Sequence, residues 1–509
     1  MTGRMVIGRD QRGDVDVDTD VVICGGGAGG CMAARELSRA GVSVAVLEEG
    51  GDRLPEDFDQ REDHMLPELF QELGGQRSSD MAIVILSGRG LGGSTIHNQN
   101  LCKRTPDEVL EQWVDEHGLD DATPRSMAPV FAEVERDLGV VPISDAQVNA
   151  HNSVVARGRR ALGYAGGRLS HNRDDQCTGS GFCELGCAYD GKLNARRVLV
   201  PQALEAGAAF YTDCRVDRIR HTGGRATGVE ATLLGANGSS RGSLRARARA
   251  VCLAGSAIGS AALALRSGLP DPHVTLGKGL RIHPASIIAG IFPERIEAWR
   301  GIPQSEDCTE LLDFRPGSDR RVWLVPSFAH PVGAASMMPG FGPGLVDRMR
   351  DYPHLAVVAA MVHDETSGRV RIEDGRVRID YAPIGSDREQ LALGAREGAR
   401  LLLAAGARQC VVPAEPPIRV RYEGELEAIT AARFVPHDGR ITAVHPMGTM
   451  AMGADPRRSV TDARGKYHHL ENLHVVDGSL FPTSIGGPPQ ISVYAFSMMV
   501  ARHVADALR

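Results

Sequence analysis

A chain of 509 residues, 42% hydrophobic and 24% charged, has the make-up of a globular protein with two or three domains, or of one large two-lobed unit. Its net charge of −7 gives no electrostatic footprint for nucleic acid, and its ten cysteines are too few for a disulfide scaffold. No run approaches the roughly 18 apolar residues of a membrane span, and the polar, acidic stretch Met1 to Asp20 lacks a signal core, so a cytoplasmic location is expected.

Residues 1–17 read as a loose lead-in. Val21-Val22-Ile23-Cys24 is an unbroken apolar run closed by glycine, the pattern of a buried parallel strand. A helix over 29–40 and a second strand from Val42 to Leu47 complete a βαβ unit. Residues 52–80 are charged and irregular, with a short helix around Leu66 to Leu73. Met81 to Leu86 feeds a glycine-rich turn, Gly88-Arg89-Gly90-Leu91-Gly92-Gly93. Residues 106–163 are helical in pattern. A Cys/Gly loop occupies 177–192, and a helix follows over 198–208. Residues 210–255 alternate as a meander that runs into a helix from Ala257 to Ser267. Residues 280–435 suggest a mixed sheet with long connections. Within them, Met337 to Pro343 reads either as an apolar lid or as a plain surface loop. Leu473 to Gly478 is a strand, and Ser492 to Leu508 a closing helix.

Gly25-x-Gly27-x-x-Gly30 stands between the first strand and the first helix. Gly25 allows the tight turn, Gly27 lets backbone approach a pyrophosphate, and Gly30 lets helix and strand pack closely. The free N–H groups of the helix N-terminus, from Ala28 on, then face the phosphates. Glu48 ends the second strand, where a carboxylate accepts ribose hydroxyls. This constellation points to a dinucleotide and leaves FAD and NAD both open.

Three further segments carry a resemblance. They are Ser87 to Asn98, with Arg89, Gly92, Gly93, Ser94, His97 and Asn98; Cys252 to Ser260; and His445-Pro446-Met447-Gly448-Thr449-Met450 followed by Asn472 to Pro482. In order and spacing they resemble the glucose–methanol–choline (GMC) oxidoreductase family over nearly the whole chain. The resemblance implies FAD and an α/β fold: a discontinuous Rossmann-type FAD-binding domain, from roughly 15–105, 192–290 and 437–509. An inserted mixed-sheet α+β substrate domain is expected from 106–191 and 291–436. It adds Val216, Asp477, Gly478, Pro489 and Gln490 to the cofactor set, the helix after Pro489 offering N–H groups to the flavin.

The resemblance also implies that His445 is the active-site base for oxidising a CH–OH group of a small-molecule alcohol, by hydride transfer to flavin N5. Oxygen, a quinone or a redox carrier is the expected acceptor. His97 matches the histidine that some family members bond covalently to the flavin. The chain departs from the family at Pro488, where a second His or Asn is usual; proline offers neither side-chain donor nor acceptor. Gln490 and His97 are the candidates to compensate. Cys177, Cys183 and Cys187 have a spacing similar to that of cluster-bearing family members; a compact loop of free thiols is the competing reading. Two functional rivals stay open: a redox-neutral lyase or isomerase on the same fold, and a non-catalytic flavin-binding protein.

Overall fold

The computed structural model describes residues 3–315 and 317–509. Two sheets carry the chain. At the centre of the larger one, Val15–Cys24 lies parallel between Val44–Leu47 and Ser240–Leu253. Ala209–Thr212 and Arg4–Ile7 extend the parallel edge. On the other side the long strand Ser240–Leu253 turns antiparallel to Arg225–Leu234, which pairs with Cys214–Thr222. Leu473–Val475 completes this eight-stranded sheet, pairing parallel with the end of Ser240–Leu253.

Two differences from the sequence reading have local causes. Arg4–Ile7 is an edge strand, not a lead-in; one polar and three apolar residues make too short a run to stand out. Val15–Cys24 begins before its apolar half because its first residues alternate, with Asp18 turned outward onto Arg247 at 2.7 Å.

Helix Ala28–Arg39 crosses from Val15–Cys24 to Val44–Leu47, completing the expected βαβ unit. The closing helix Gln490–Leu508 lies against it. Gly29 is the point of closest approach: a Cβ there would stand 1.7 Å from the Val476 carbonyl oxygen and 2.8 Å from Ser497 Oγ. Ser497 Oγ itself donates to Val476 O at 2.7 Å, and Arg502 pairs with Glu36 at 2.7 Å. The first turn and the last strand of the chain are thus in contact.

The second sheet has seven strands. Val322–Pro326, Leu355–Val362, Ala285–Ile291, Gln409–Val412 and Ile418–Val420 form its antiparallel body, with Ile441–Ala443 and Ile83–Ile85 attached. Helix Gly385–Ala404 backs it, made close by Gly394, whose Cβ would meet that of Ala360 at 2.6 Å. Ile83–Ile85, Ala285–Ile291 and Ile441–Ala443 come from stretches expected in the cofactor lobe, so the chain crosses into the second sheet earlier and leaves it later. Three helices, Asp107–His117, Pro124–Asp137 and Ala150–Leu162, account for the helical block. One hydrophobic core runs through both sheets, and a smaller one around Phe58, Met65, Leu69, Phe70, Ile96 and Leu185 lies under the loop after Ile85.

Met337 to Pro343 bridges two short helices, Pro331–Met337 and Pro343–Met349, neither of which buries a residue. Phe341 at the tip is 90% exposed. The first helix is held at its N-terminus, where Val332 N and Gly333 N both donate to the Glu62 carboxylate at 2.7 Å.

Two outcomes are expected. Gly29→Ala forces apart the first helix and the last strand, and lowers stability by about 1–3 kcal/mol; an unchanged thermal midpoint would mean that the contact is not as described. Acid is also destabilising. Burial drives the imidazoles of His151, His363 and His474 down to about 4 and that of His171 to about 3. The folded state therefore refuses protons that the unfolded chain takes up below about pH 6.5. Their contribution is complete above that pH and declines as pH falls toward 4. Glu184, its carboxyl pushed up to about 7 by burial, works in the opposite direction, as do Glu48, Asp364 and Asp477, whose carboxyls burial also raises. A flat stability profile between pH 7 and 4.5 would contradict this balance.

Candidate active site

The dinucleotide turn is built as its glycines require. A Cβ on Gly25 would meet Ala254 O at 2.4 Å, and one on Gly30 would meet Gly25 O at 2.0 Å; these two are filled by protein. Gly27 differs, since its nearest neighbour is Gly93 Cα at 3.9 Å. The open glycine is the one at which a pyrophosphate must approach, and it is the N-cap of helix Ala28–Arg39. Glu48 is buried at the end of Val44–Leu47. It accepts Gly26 N at 2.7 Å, Gly50 N at 2.9 Å and Gly90 N at 3.0 Å. A carboxylate has about four acceptor positions, so one is left for a ribose hydroxyl. Cys214 N donates to Glu48 O at 2.8 Å, and Val216 lies two residues further along the same strand face. These residues fit a dinucleotide.

The glycine-rich loop is pinned directly onto that turn. Gly92, at φ 100°, donates from its N–H to Gly26 O at 2.7 Å, and a Cβ on Gly93 would stand 2.8 Å from Gly27 Cα. Gly88 N donates to Ser94 Oγ at 2.9 Å, Asn98 N to Ser94 O at 2.9 Å, and Arg89 N to Leu69 O at 2.8 Å. His97 is buried, its ring 3.9 Å from that of Phe70, and its Nε2 has no partner. Burial, with the Lys192 charge adding to it, drives this imidazole down to about 3.

From the other end of the chain, Asp477 anchors the C-terminal segments. It accepts from Ser260 Oγ at 2.6 Å and Ser479 N at 2.8 Å, and burial holds its carboxyl above the usual range. Gly448 N donates to Gly478 O at 3.0 Å and Met450 N to Ser479 O at 3.0 Å, which fastens the His445 segment to this turn. Pro489 is the N-cap of helix Gln490–Leu508. Gln490 is fully engaged: its amide accepts from Asn98 Nδ2 at 2.9 Å and donates to Leu101 O at 2.7 Å. It ties the glycine-rich loop to the helix and is not placed as a partner for His445. His97, packed on Phe70, is likewise turned to a different task.

The partner beside His445 is one that the sequence reading missed. Arg281 and Met447 exchange backbone hydrogen bonds at 2.9 and 2.8 Å, an antiparallel bridge that sets residue 283 opposite residue 445. His283 Nδ1 is 3.3 Å from His445 Nδ1, the rings meeting edge to face at 88°. His283 Nε2 accepts Gly486 N at 3.1 Å. Its backbone is held at φ 48°, and the Asp364 carboxylate receives Ile282 N at 3.0 Å and His283 N at 3.3 Å. Burial drives His445 down to about 4 and, with the charge of its neighbours, His283 well below its ordinary value. His283 is buried, whereas His445 keeps part of its surface open. The site thus contains two neutral imidazoles, and Gly486, two residues before Pro488, contributes through its backbone.

Among the described residues no group of three or more His, Cys, Asp or Glu side chains is placed to hold a metal ion, and Cys177, Cys183 and Cys187 are free thiols. Cys24, Cys31 and Cys252 are buried in the core as small hydrophobes. No helix among the described residues is long and apolar enough to cross a membrane.

Comparison with known proteins agrees with this geometry. Residues 19–285 match the N-terminal and residues 364–497 the C-terminal model of the GMC oxidoreductases. An uncharacterised GMC-type oxidoreductase of Mycobacterium tuberculosis is 35% identical over 491 residues, covering 95% of this chain and 75% of that protein. A long-chain-alcohol oxidase of Arabidopsis thaliana is 26% identical, covering 97% of this chain and 69% of its own. Among solved structures, pyridoxine 4-oxidase from Mesorbium loti superposes with a TM-score of 0.71 at 20% identity, covering 95% of this chain and 99% of that one. The chain belongs to the GMC oxidoreductase family and is a FAD-dependent oxidoreductase with the Rossmann-type fold of that family.

Proposed function

We propose that the chain oxidises the hydroxyl-bearing carbon of a small-molecule alcohol, with hydride passing to flavin N5 and His445 acting as the base. The observation that carries this reading is the His445–His283 pair at the junction of the two chain ends. Burial keeps both imidazoles uncharged at neutral pH. Because His283 Nε2 accepts Gly486 N, its Nδ1–H faces His445 Nδ1. His445 gives up that contact or changes tautomer as it takes the hydroxyl proton while hydride leaves carbon. His283 stands where Pro488 can offer nothing, and the partly open His445 is the member that meets substrate.

Bound FAD supplies the hydride acceptor. Gly27 and Ala28 would face its pyrophosphate, on the turn that Gly25 and Gly30 allow, and Glu48 would hold its ribose. Val216 lies alongside. Arg89, Gly92, Gly93, Ser94, His97 and Asn98 form one wall of the flavin site, and Asp477, Gly478, Pro489 and Gln490 the other. The helix after Pro489 directs its N–H groups at developing negative charge. Attachment of the flavin through His97 is part of the proposal, supported by the unpartnered Nε2. The substrate class is a sugar-like, sterol-like or long-chain alcohol. The name of the plant relative and the exposed Phe341 favour the long-chain alcohol. Oxygen or a quinone reoxidises the flavin.

Anaerobic mixing with a panel of alcohols tests the reading. Bleaching of the flavin dismisses a redox-neutral lyase or isomerase, whereas no bleaching across the panel favours a non-catalytic flavin-binding protein. His445→Ala is expected to slow flavin reduction roughly 100-fold with flavin content retained; an unchanged rate removes His445 from the mechanism. The wild-type rate should fall as pH drops toward about 4, since protonated His445 accepts nothing. Acid precipitation decides attachment: yellow in the pellet is expected, and yellow wholly in the supernatant refutes the bond.

A further inference from the structure

We infer that Lys192 is a positioning residue for the flavin: it fixes the segment carrying His97 and sets a buried positive charge beside it. The inference rests on the reading that His97 faces the flavin. Lys192 closes the cysteine loop, just before helix Ala195–Glu205. It is 1% exposed. Its ammonium has three protons, and each meets a backbone carbonyl: Ile96 O at 2.9 Å, Asn98 O at 2.6 Å and Cys183 O at 2.8 Å. Three acceptors require three donors, so the group bound here is the charged ammonium. Two of the carbonyls bracket His97, one on each side in sequence. The third belongs to the cysteine loop, so a single side chain joins that loop to the one that carries His97.

Stability alone does not account for this choice. A buried ammonium whose partners are neutral carbonyls gives up its hydration for dipoles; an apolar side chain would leave the three carbonyls unpaired, but a neutral glutamine amide could serve two of them without burying a charge. What a neutral side chain cannot supply is charge. In a dry site a fixed cation acts far more strongly than in water. Placed beside the flavin-facing histidine, it favours the electron-rich state of a neighbouring flavin and disfavours protonation of His97. The unpartnered Nε2 of His97 and its low basicity agree with such a field.

The test compares flavin-loaded Lys192→Met, Lys192→Gln and Lys192→Arg chains with wild type. The flavin midpoint potential is read by anaerobic titration against a reference dye, which requires no alcohol and so stands apart from the proposed substrate reaction. Lys192→Met and Lys192→Gln both remove the charge. Each is expected to make the flavin harder to reduce, lowering its equilibrium with the dye by about tenfold or more. Reduction by alcohol should slow, with little change in KM. Lys192→Arg keeps the charge and should retain most of the wild-type potential. A wild-type potential in either neutral variant overturns the inference. So does a Lys192→Arg potential that falls as far as theirs, which would make the role that of a clamp alone. Should Lys192→Met not fold, Lys192→Gln decides, because it keeps two N–H donors for the carbonyls. Loss of the folded flavoprotein in both neutral variants would likewise assign Lys192 to structure and not to redox tuning. If wild type binds FAD but no alcohol bleaches it, the proposed function fails while the dye titration still judges Lys192.

Discussion

The approach of Gly29 to the Val476 carbonyl is the contact on which the rest of the molecule depends. It joins the first βα turn to the last strand, so the two chain ends build one site. No side chain fits there. The same turn is crossed from above by the glycine-rich loop, through Gly92 N to Gly26 O. Three segments distant in sequence are thus fixed to one another by backbone alone. Backbone contacts leave little freedom of rotamer, which is what a site that must hold a reactive ring in one orientation needs.

From that frame the chemistry is positioned by register. Asp477 fixes the turn to which the His445 segment is bound, and the bridge between Arg281 and Met447 carries His283 to face it. Neither histidine is held by its own neighbours in sequence. The pair sits between that bridge and the antiparallel pairing of Ala285 with Thr442 in the second sheet. A shift by one residue would turn His283 to the opposite face.

Much of this was legible in the sequence, and what was not has a common cause. The βαβ unit, the glycine turn, Glu48 and the closing helix are local patterns whose meaning lies within a few tens of residues. Glu48 and Asp477 stand at strand ends, and strand ends can be read from apolar runs. His283 could not be found in this way. Ile282-His283-Pro284 carries no motif, and only a pairing across more than 160 residues, between Arg281 and Met447, gives it a neighbour. The departure at Pro488 was visible, but its remedy was not, because the replacement comes from a different segment. Gln490 shows the converse. It looked available from its position, yet Asn98 and Leu101 already occupy its amide. Lys192 was invisible for the same reason as His283: its three acceptors are backbone carbonyls, which no side-chain pattern reports.

The segment around Phe341 is attached largely through polar contacts. Its first helix, Pro331–Met337, buries no residue, and its position is set by the Glu62 carboxylate receiving two of its N–H groups. Glu62 opens a helix that packs in the small core beneath the His97 loop, through Met65 and Leu69. Beyond the buried His330 at its start, stacked on Phe182, the segment is fastened by this polar clasp, and it can vary in length and composition while the core beneath is left intact. Changes of sequence can therefore accumulate in this segment at little thermodynamic cost, provided that a carboxylate stays at the clasp.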